Sequence, residues 1–492
     1  MLTFIKKPAI FDDYSVIGFD LDLVLGQAGT LSIHFHPRAS TRQADFKVFE
    51  ALQGTLGEET DCKYDDWAFA GNVEEVECDT TRRDVRIALK DGLSKLGRVC
   101  RSQVFVNQRL GEIVSSLMPP GQKCQCSPEF EGHDVKFAIQ YQESDLVFLK
   151  RLVNYHGGQI WCPGNAICVG TPQGGGSLTL RLHSDIQECI LHTNLGPERV
   201  RVKAIPYTGE ASRESKIELS GKNQGAIQKA VKERREKYQG NSLLHIILED
   251  SSQSDPEFMA KRFLKSRAAG RLSVTGVVNR LVHPGTAVAV VDSGGNAESL
   301  VVRSLSGTWR YDMGGRFYFE AATAEGLIFD APVIERELLA SPAVVDQSND
   351  SLNRVRVYFP WDPNESVTPW LRIVSPYWGD QHMLYAPPKR GDSVLVVWGQ
   401  EDLDPIVLGS LSAGQAIKEK SEPFVLKTAD GQTVTFSKKS IKIVNEADGG
   451  KTSVELLPDK VVISSDKIEL KSDKVEVKSS VVGIKTTKLD VQ

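Results

Sequence analysis

The sequence predicts a mainly β protein that ends in an intertwined β-prism built by three chains. Three observations lead there. The first two thirds read as alternating strands broken by a few amphipathic helices. Short strands with Pro, Gly and Asp turns crowd residues 352–410. A seven-residue repeat then runs from Pro458 to Gln492. With 492 residues, 40% of them hydrophobic, the chain has core enough for about three domains. A net charge of −5 gives no overall basic face for duplex nucleic acid.

In the first part, Val104–Met118 reads as a helix with Leu110, Ile113, Val114 and Leu117 on one side. A second helix starts near Ser144 or Asp145, either of which can cap its first turn. Its stripe is Leu146, Phe148, Leu149 and Leu152, and His156-Gly-Gly marks its end. Strands are expected at Leu178–Leu182 and Arg199–Ile205. Residues Gly221–Gly240 form a charged amphipathic helix, either a solvated face or a contact with another component. Asp255 and Pro256 open a helix through Phe258, Phe263 and Leu264 to Ala269. Strands resume at Gly270–Gly276, and His283-Pro-Gly is a turn.

In the middle, Val355, Val357 and Phe359 alternate with Arg354, Arg356 and Tyr358. Leu371 and Ile373 alternate likewise, and Val394–Trp398 is a near-continuous strand. Short strands at this spacing suggest a small barrel such as an OB-fold. Trp361, Trp370, Trp378 and Trp398 fall here, so a single-stranded nucleic-acid binder is the rival reading. Its basic groove is weak. Arg354, Arg356, Arg372, Lys389 and Arg390 are balanced by Asp362, Glu365, Asp380, Asp392, Glu401, Asp402 and Asp404.

The repeat reads PDKVVIS, SDKIELK, SDKVEVK, SSVVGIK, TTKLDVQ. Its fourth positions are Val461, Ile468, Val475, Val482 and Leu489. Its sixth positions are Ile463, Leu470, Val477, Ile484 and Val491. A heptad usually signals a coiled coil. Here the apolar residues are two apart, which strands place on one face and helices do not. Each unit is therefore a short strand and a Ser/Thr, Asp/Thr, Lys turn. Less regular strands precede at Thr433–Phe436, Ser440–Val444 and Ser453–Leu456. A unit with two small aliphatics cannot bury itself, so the strip needs neighbours. Three chains wound into a triangular prism, ~40 Å long at ~4.7 Å per layer, supply them and leave no open edge. A single-chain solenoid is the alternative.

Four runs now matter together: Arg354-Val-Arg-Val-Tyr-Phe-Pro-Trp, Pro369-Trp-Leu-Arg-Ile-Val-Ser-Pro, Gly391-Asp-Ser-Val-Leu-Val and Asp404-Pro-Ile-Val-Leu-Gly-Ser. Their order and spacing resemble the OB-fold domain of VgrG proteins, the spikes of type VI secretion systems, related to the central spike of contractile phage tails. The positions that carry the likeness are Arg354, Val355, Arg356, Val357, Phe359, Pro360, Trp361, Trp370, Pro376, Gly391, Asp392, Asp404, Pro405 and Gly409. The run from Tyr141 to Leu152 resembles a second family segment. The resemblance implies a tail-hub region at 1–340, made of two β-barrels with helical insertions, an OB-fold neck at 341–415 and a trimeric β-helix needle at 420–492. It also implies a homotrimer, an Hcp-like hexameric inner tube below it, effectors and loading chaperones. A PAAR-repeat protein would cap the blunt end at Lys488, Leu489, Asp490, Val491 and Gln492. An extracellular injection system or a phage-like tail is the alternative owner.

Catalytic motifs are missing from the sequence. It holds no G-x-S-x-G, no H-E-x-x-H and no P-loop, and Gly174-Gly-Gly lacks dinucleotide spacing. His34 and His36 share a strand face without a nearby third ligand. The eight cysteines all precede residue 190. Neither Cys124-Gln-Cys126 nor Cys162-x5-Cys168 has zinc-site spacing, so they read as small hydrophobes in a reducing compartment. The expectation is a non-enzymatic protein without cofactor, metal or nucleic-acid partner. No run of 18 apolar residues occurs, and Asp12, Asp13, Asp20 and Asp22 interrupt any signal-peptide core. Synthesis in the cytoplasm and export without a Sec signal follow as expectations. The dozen or so residues from Ser412 to Phe424 leave no room for a lysozyme domain of the kind phage spikes can carry there.

Overall fold

The computed structural model describes residues 2–38, 45–164, 166–172, 178–193, 199–205, 213–218, 227, 229–230, 233–234, 243–249, 257, 260, 272–323, 338–375, 378–379, 382–383, 387–399, 405–411, 424–428, 432–446, 451–483 and 485. The chain divides into two units, Met1–Leu411 and Ser412–Gln492. Most of the Gly221–Gly240 helix, the Asp255–Pro256 helix start and the glycines at 174–176 lie outside the described residues.

The first unit is mainly β, and twelve of its strands form one sheet. Residues 3–90 build one half, and residues 178–193 with 272–322 the other; Arg199–Ile205, Arg213–Glu218 and Leu243–Glu249 form a separate three-stranded sheet. Antiparallel pairing of Gly18–Val24 with Ser304–Arg310 joins the two halves. Strict alternation decides which side chains enter the core. In Thr30–Pro37, Leu31, Ile33 and Phe35 are buried while His34 and His36 take the opposite face. Phe35 stacks on Phe11 at 4.8 Å, and Phe19 stacks on Trp309 at 5.7 Å.

A helical insertion follows. The helix predicted from Val104 begins at Leu110 and runs to Leu117, with Leu110, Ile113, Val114 and Leu117 buried. Cys100–Arg109 is instead a strand, paired antiparallel with Asp134–Ser144. The reason is two-sided burial. Phe105, Val135 and Ala138 pack against the insertion helices. Val104 and Ile139, paired with each other, pack on the other side into the barrel core with Val355, Val357 and Phe359. Two apolar faces on one ribbon mimic helical periodicity. The second helix is Asp145–Tyr155. Ser144 is its cap, with Oγ accepting from the Val147 N–H at 3.3 Å, and Gly157 at φ +81° follows its last turn.

The barrel has the strand order Val355–Tyr358, Leu338–Ser348, Ser393–Gly399, Ile406–Ser410, Arg372–Ile373. A bridge between Val355 and Leu371 closes it. This is a five-stranded OB-type barrel.

Two buried carboxylates fix the insertion. Asp145 is 1% exposed. Its Oδ2 accepts from Arg101 Nε at 3.1 Å and Nη2 at 2.8 Å, and its Oδ1 accepts from Gln140 Nε2 at 2.9 Å. Asp145→Ala leaves those donors without their acceptor. A loss of about 2–4 kcal/mol is expected in urea unfolding, tempered because Arg101 is partly exposed. Asp91 accepts from the Gly29 N–H at 2.9 Å and the Leu93 N–H at 3.0 Å, tying the sheet to the insertion. Burial nevertheless pushes its carboxyl up to about 7. The folded state therefore holds an extra proton between about pH 4 and pH 7, and stability falls as pH rises through that window and then levels off. Urea midpoints at pH 5 and pH 8 should differ in that direction, and Asp91→Asn should shrink the difference.

Candidate functional site

The second unit carries the surface most in need of a partner. Five antiparallel strands form a meander: Phe424–Lys427, Gln432–Phe436, Ile441–Asn445, Thr452–Leu456 and Val461–Ser464. The turns are local. The Ser437 N–H donates to the Ser440 carbonyl at 2.8 Å, and Leu457 does the same to Lys460 at 2.8 Å. The register places apolar residues opposite one another across the sheet. One row is Phe436, Ile441, Leu456 and Val461. The next is Leu426, Val434, Ile443, Val454 and Ile463. Pairs two residues apart share a face, so both rows lie on the same side of the sheet. The other side is mixed: it carries Thr433, Thr435, Lys442, Ser453 and Glu455 together with Val444 and Val462, and Thr435 and Val444 are buried there. The apolar side is open: Ile443 is 50% exposed and Ile463 55%.

After Ser464 the expected strand units are present only in part. Val461–Ser464 is a strand. Residues 465–483 and 485 form no strand pairing among the described residues. They are still regular. Ser465, Ser472 and Ser479 stand seven apart. Each Oγ donates to the carbonyl two residues on, at 3.0, 2.9 and 2.9 Å, and accepts from the same residue's N–H. These are repeated hydroxyl turns. Between them Glu469 lies 3.3 Å from Lys467 and 3.4 Å from Lys471, and Glu476 lies 3.6 Å from Lys474 and 3.3 Å from Lys478. The charged positions take one face. Ile468, Leu470, Val475 and Val477 take the other and remain exposed, Leu470 at 74%. The seven-residue period is thus built into the backbone, while the ladder partners a strand needs are not supplied from within the described chain. Ile484, Lys488, Leu489, Asp490, Val491 and Gln492 lie outside the described residues.

The barrel signature residues hold the barrel itself together. Val355, Val357 and Phe359 are fully buried. Arg354 pairs with Asp350 through Nε at 2.9 Å, and Arg356 donates to the Thr368 carbonyl at 3.0 Å with its guanidinium over Trp370. Trp361 stacks on Phe359 at 4.8 Å and donates to Ser341 Oγ at 2.8 Å. Asp392 accepts from the Lys389 N–H at 2.7 Å beside Gly391, whose φ of +89° suits glycine. Pro360 lies just beyond Val355–Tyr358, Pro405 directly precedes Ile406–Ser410, and Gly409 lies within that strand. Pro376, Asp404 and the Trp378 side chain lie outside the described residues. Trp361 and Trp398 belong to the barrel core rather than to an open stacking platform.

The two histidines on one strand face each pair with a carboxylate. His34 Nε2 lies 2.6 Å from Asp20, which also holds Arg310, and His36 Nδ1 lies 2.7 Å from Asp84. Together with Glu77, Asp79 and Arg86, Asp20, His34 and Asp84 line an open cleft. Among the described residues, no group of three or more His, Cys, Asp or Glu is placed to hold a metal ion. None of the eight cysteines is in a disulfide. Burial pushes Cys124 and Cys126 up to about 11, and Cys62 and Cys162 higher still.

Comparison with known proteins follows this geometry. Residues 342–411 match the family described as the type VI secretion system/phage-baseplate injector OB domain. The type VI secretion system spike protein VgrG3 of Vibrio cholerae is 23% identical over 421 residues, covering 72% of this chain and 39% of VgrG3. The chain thus spans about two fifths of that relative's length. An Escherichia coli component of the type VI secretion system, described as structurally similar to two bacteriophage T4 tail proteins, matches with a TM-score of 0.52 at 16% identity. The match covers 84% of this chain and all of that one. A chain of the half-lidded Francisella PdpA–VgrG complex matches with a TM-score of 0.56 at 9% identity, covering 94% of this chain and 87% of that one. The resemblance to VgrG proteins therefore holds in sequence and in fold.

The thiols yield a simple test. In the native protein at pH 7, buried Cys62 and Cys168 should resist alkylation for hours while exposed Cys100 reacts. All eight should react in denaturant. Mass spectrometry of the labelled peptides reads this directly.

Proposed function

We propose that the chain is a structural spike of a contractile injection machine of the type VI class, acting as a homotrimer without catalysis. The observation that carries this reading is the apolar face described above. Two aliphatic rows cross the meander, and the same paired spacing continues through Ile468 and Leu470, then Val475 and Val477, on a backbone without ladder partners in the described chain. Two further copies of the chain supply both missing elements at once: a dry interior for the aliphatics and strand partners for the backbone.

In this reading the first part of the chain, with its twelve-stranded sheet, sits on an Hcp-like tube. The barrel is the neck, and residues 420–492 are the needle. Sheath contraction drives the tube, and the needle concentrates that force on a small area of a membrane. A PAAR-type protein closes the tip at Lys488–Gln492, and effectors and chaperones attach to the assembled spike. The protein is made in the cytoplasm and leaves without a Sec signal. Nucleic acid has no place in this scheme. Trp361, Trp398, Arg354 and Arg356 are occupied within the barrel, which does not favour a stacking groove.

The test is the mass of the purified protein by light scattering, beside a version ending at Ser421. A mass about three times 54.2 kDa, falling to one chain on truncation, is expected. A monomer at full length contradicts the reading. A trimer that survives truncation moves trimerisation to the residues before Ser421.

A further inference from the structure

The needle segment contains two kinds of backbone. From Phe424 to Ser464 each chain forms its own antiparallel ladder, with tight turns at Ser437–Ser440 and Leu457–Lys460. Beyond Ser464 the described residues have hydroxyl turns and charge pairs but no ladder. We propose that the meander is the nucleus of assembly. Three preformed apolar faces dock first, and the heptad segment then zips from Ser464 toward the C-terminus. The proposal rests on the trimeric reading above and adds the order of events.

The physical reason is the separation of local from intermolecular contacts. The meander's pairings join neighbouring strands across short turns, so its sheet forms without a partner and forms quickly. It then presents Ile441, Ile443, Val454, Leu456, Val461 and Ile463 on one face in fixed register. Docking such faces costs little further ordering. An unpaired heptad segment must instead order its backbone during association, which is unfavourable when three separate chains must meet. Once the meanders hold three chains together, the heptads meet at a high effective concentration and zipping becomes local. The occupant of the apolar face is thus a second and a third copy of the same face. The paired aliphatic spacing that crosses it continues unbroken into the heptads of the same chain.

The experiment uses the full-length protein, refolded from denaturant, with native mass and limited proteolysis mapped by mass spectrometry. Ile443→Asp charges the docking face. It should expose the whole of 465–492 to protease and slow recovery of protection there by at least tenfold. Val475→Asp should expose the heptads while leaving 424–464 protected. Val462→Asp, on the opposite face of the meander, should behave as wild type in both segments. A pulsed proteolysis series on the unaltered protein needs no variant, and protection of 424–464 should precede that of 465–485. The proposal is overturned if Val475→Asp removes protection from 424–464, if Ile443→Asp leaves the heptads protected, or if both segments become protected together. A wild-type protein that is monomeric with an unprotected tail defeats the trimeric reading itself, and so is told apart from failure of the order alone.

Discussion

An extended chain with aliphatic side chains on one face cannot cover that face by itself. Everything distinctive about the C-terminal unit follows from this constraint. Burying the two aliphatics of one heptad unit contributes roughly 3–6 kcal/mol. Ordering its seven backbone residues costs about 7–14 kcal/mol. Ladder hydrogen bonds at about 1 kcal/mol each bring the sum close to balance. Neither contribution is available to a lone chain beyond Ser464, and both appear together when chains align. That coupling makes pairing within the heptad segment cooperative. It also makes the charged outer face, with Glu469 and Glu476 each set between two lysines, a solubility device rather than a source of much stability.

The first unit meets a related constraint differently. The ribbon of Cys100–Arg109 and Asp134–Ser144 is apolar on both faces, and both are covered within the unit. One face completes the insertion core through Phe105 and Ala138. The other completes the OB barrel through Val104 and Ile139. A load applied to the barrel therefore reaches the insertion through packed side chains and not through a loose linker. For a protein proposed to transmit force, that joint matters as much as the point.

Legibility in the sequence followed periodicity. The barrel was readable because Val355, Val357 and Phe359 alternate cleanly with solvent-side arginines. The Asp145–Tyr155 helix was readable because Ser144 and a one-sided stripe agree. The start of the preceding helix was not, because Val104, Phe105 and Val106 are all apolar and a strand buried on both faces looks like a helix face. The heptad was legible as strand-forming spacing. Its need for neighbours was legible too, from two small aliphatics per unit; what the structure adds is a backbone that runs past Ser464 without a ladder among the described residues. Asp91 had no sequence signal and Asp145 was legible only as a possible helix cap, since a buried carboxylate is recognised by what surrounds it.

The most direct test of intermolecular pairing is hydrogen exchange at the backbone amides of residues 465–483 in the full-length protein. Those amides have no strand partner within the described chain. Slow exchange there, as slow as in the buried strands of the twelve-stranded sheet, is the result the proposed intermolecular pairing predicts. Exchange at the rate of an open chain, in a particle whose mass is that of a trimer, would contradict the intertwined needle.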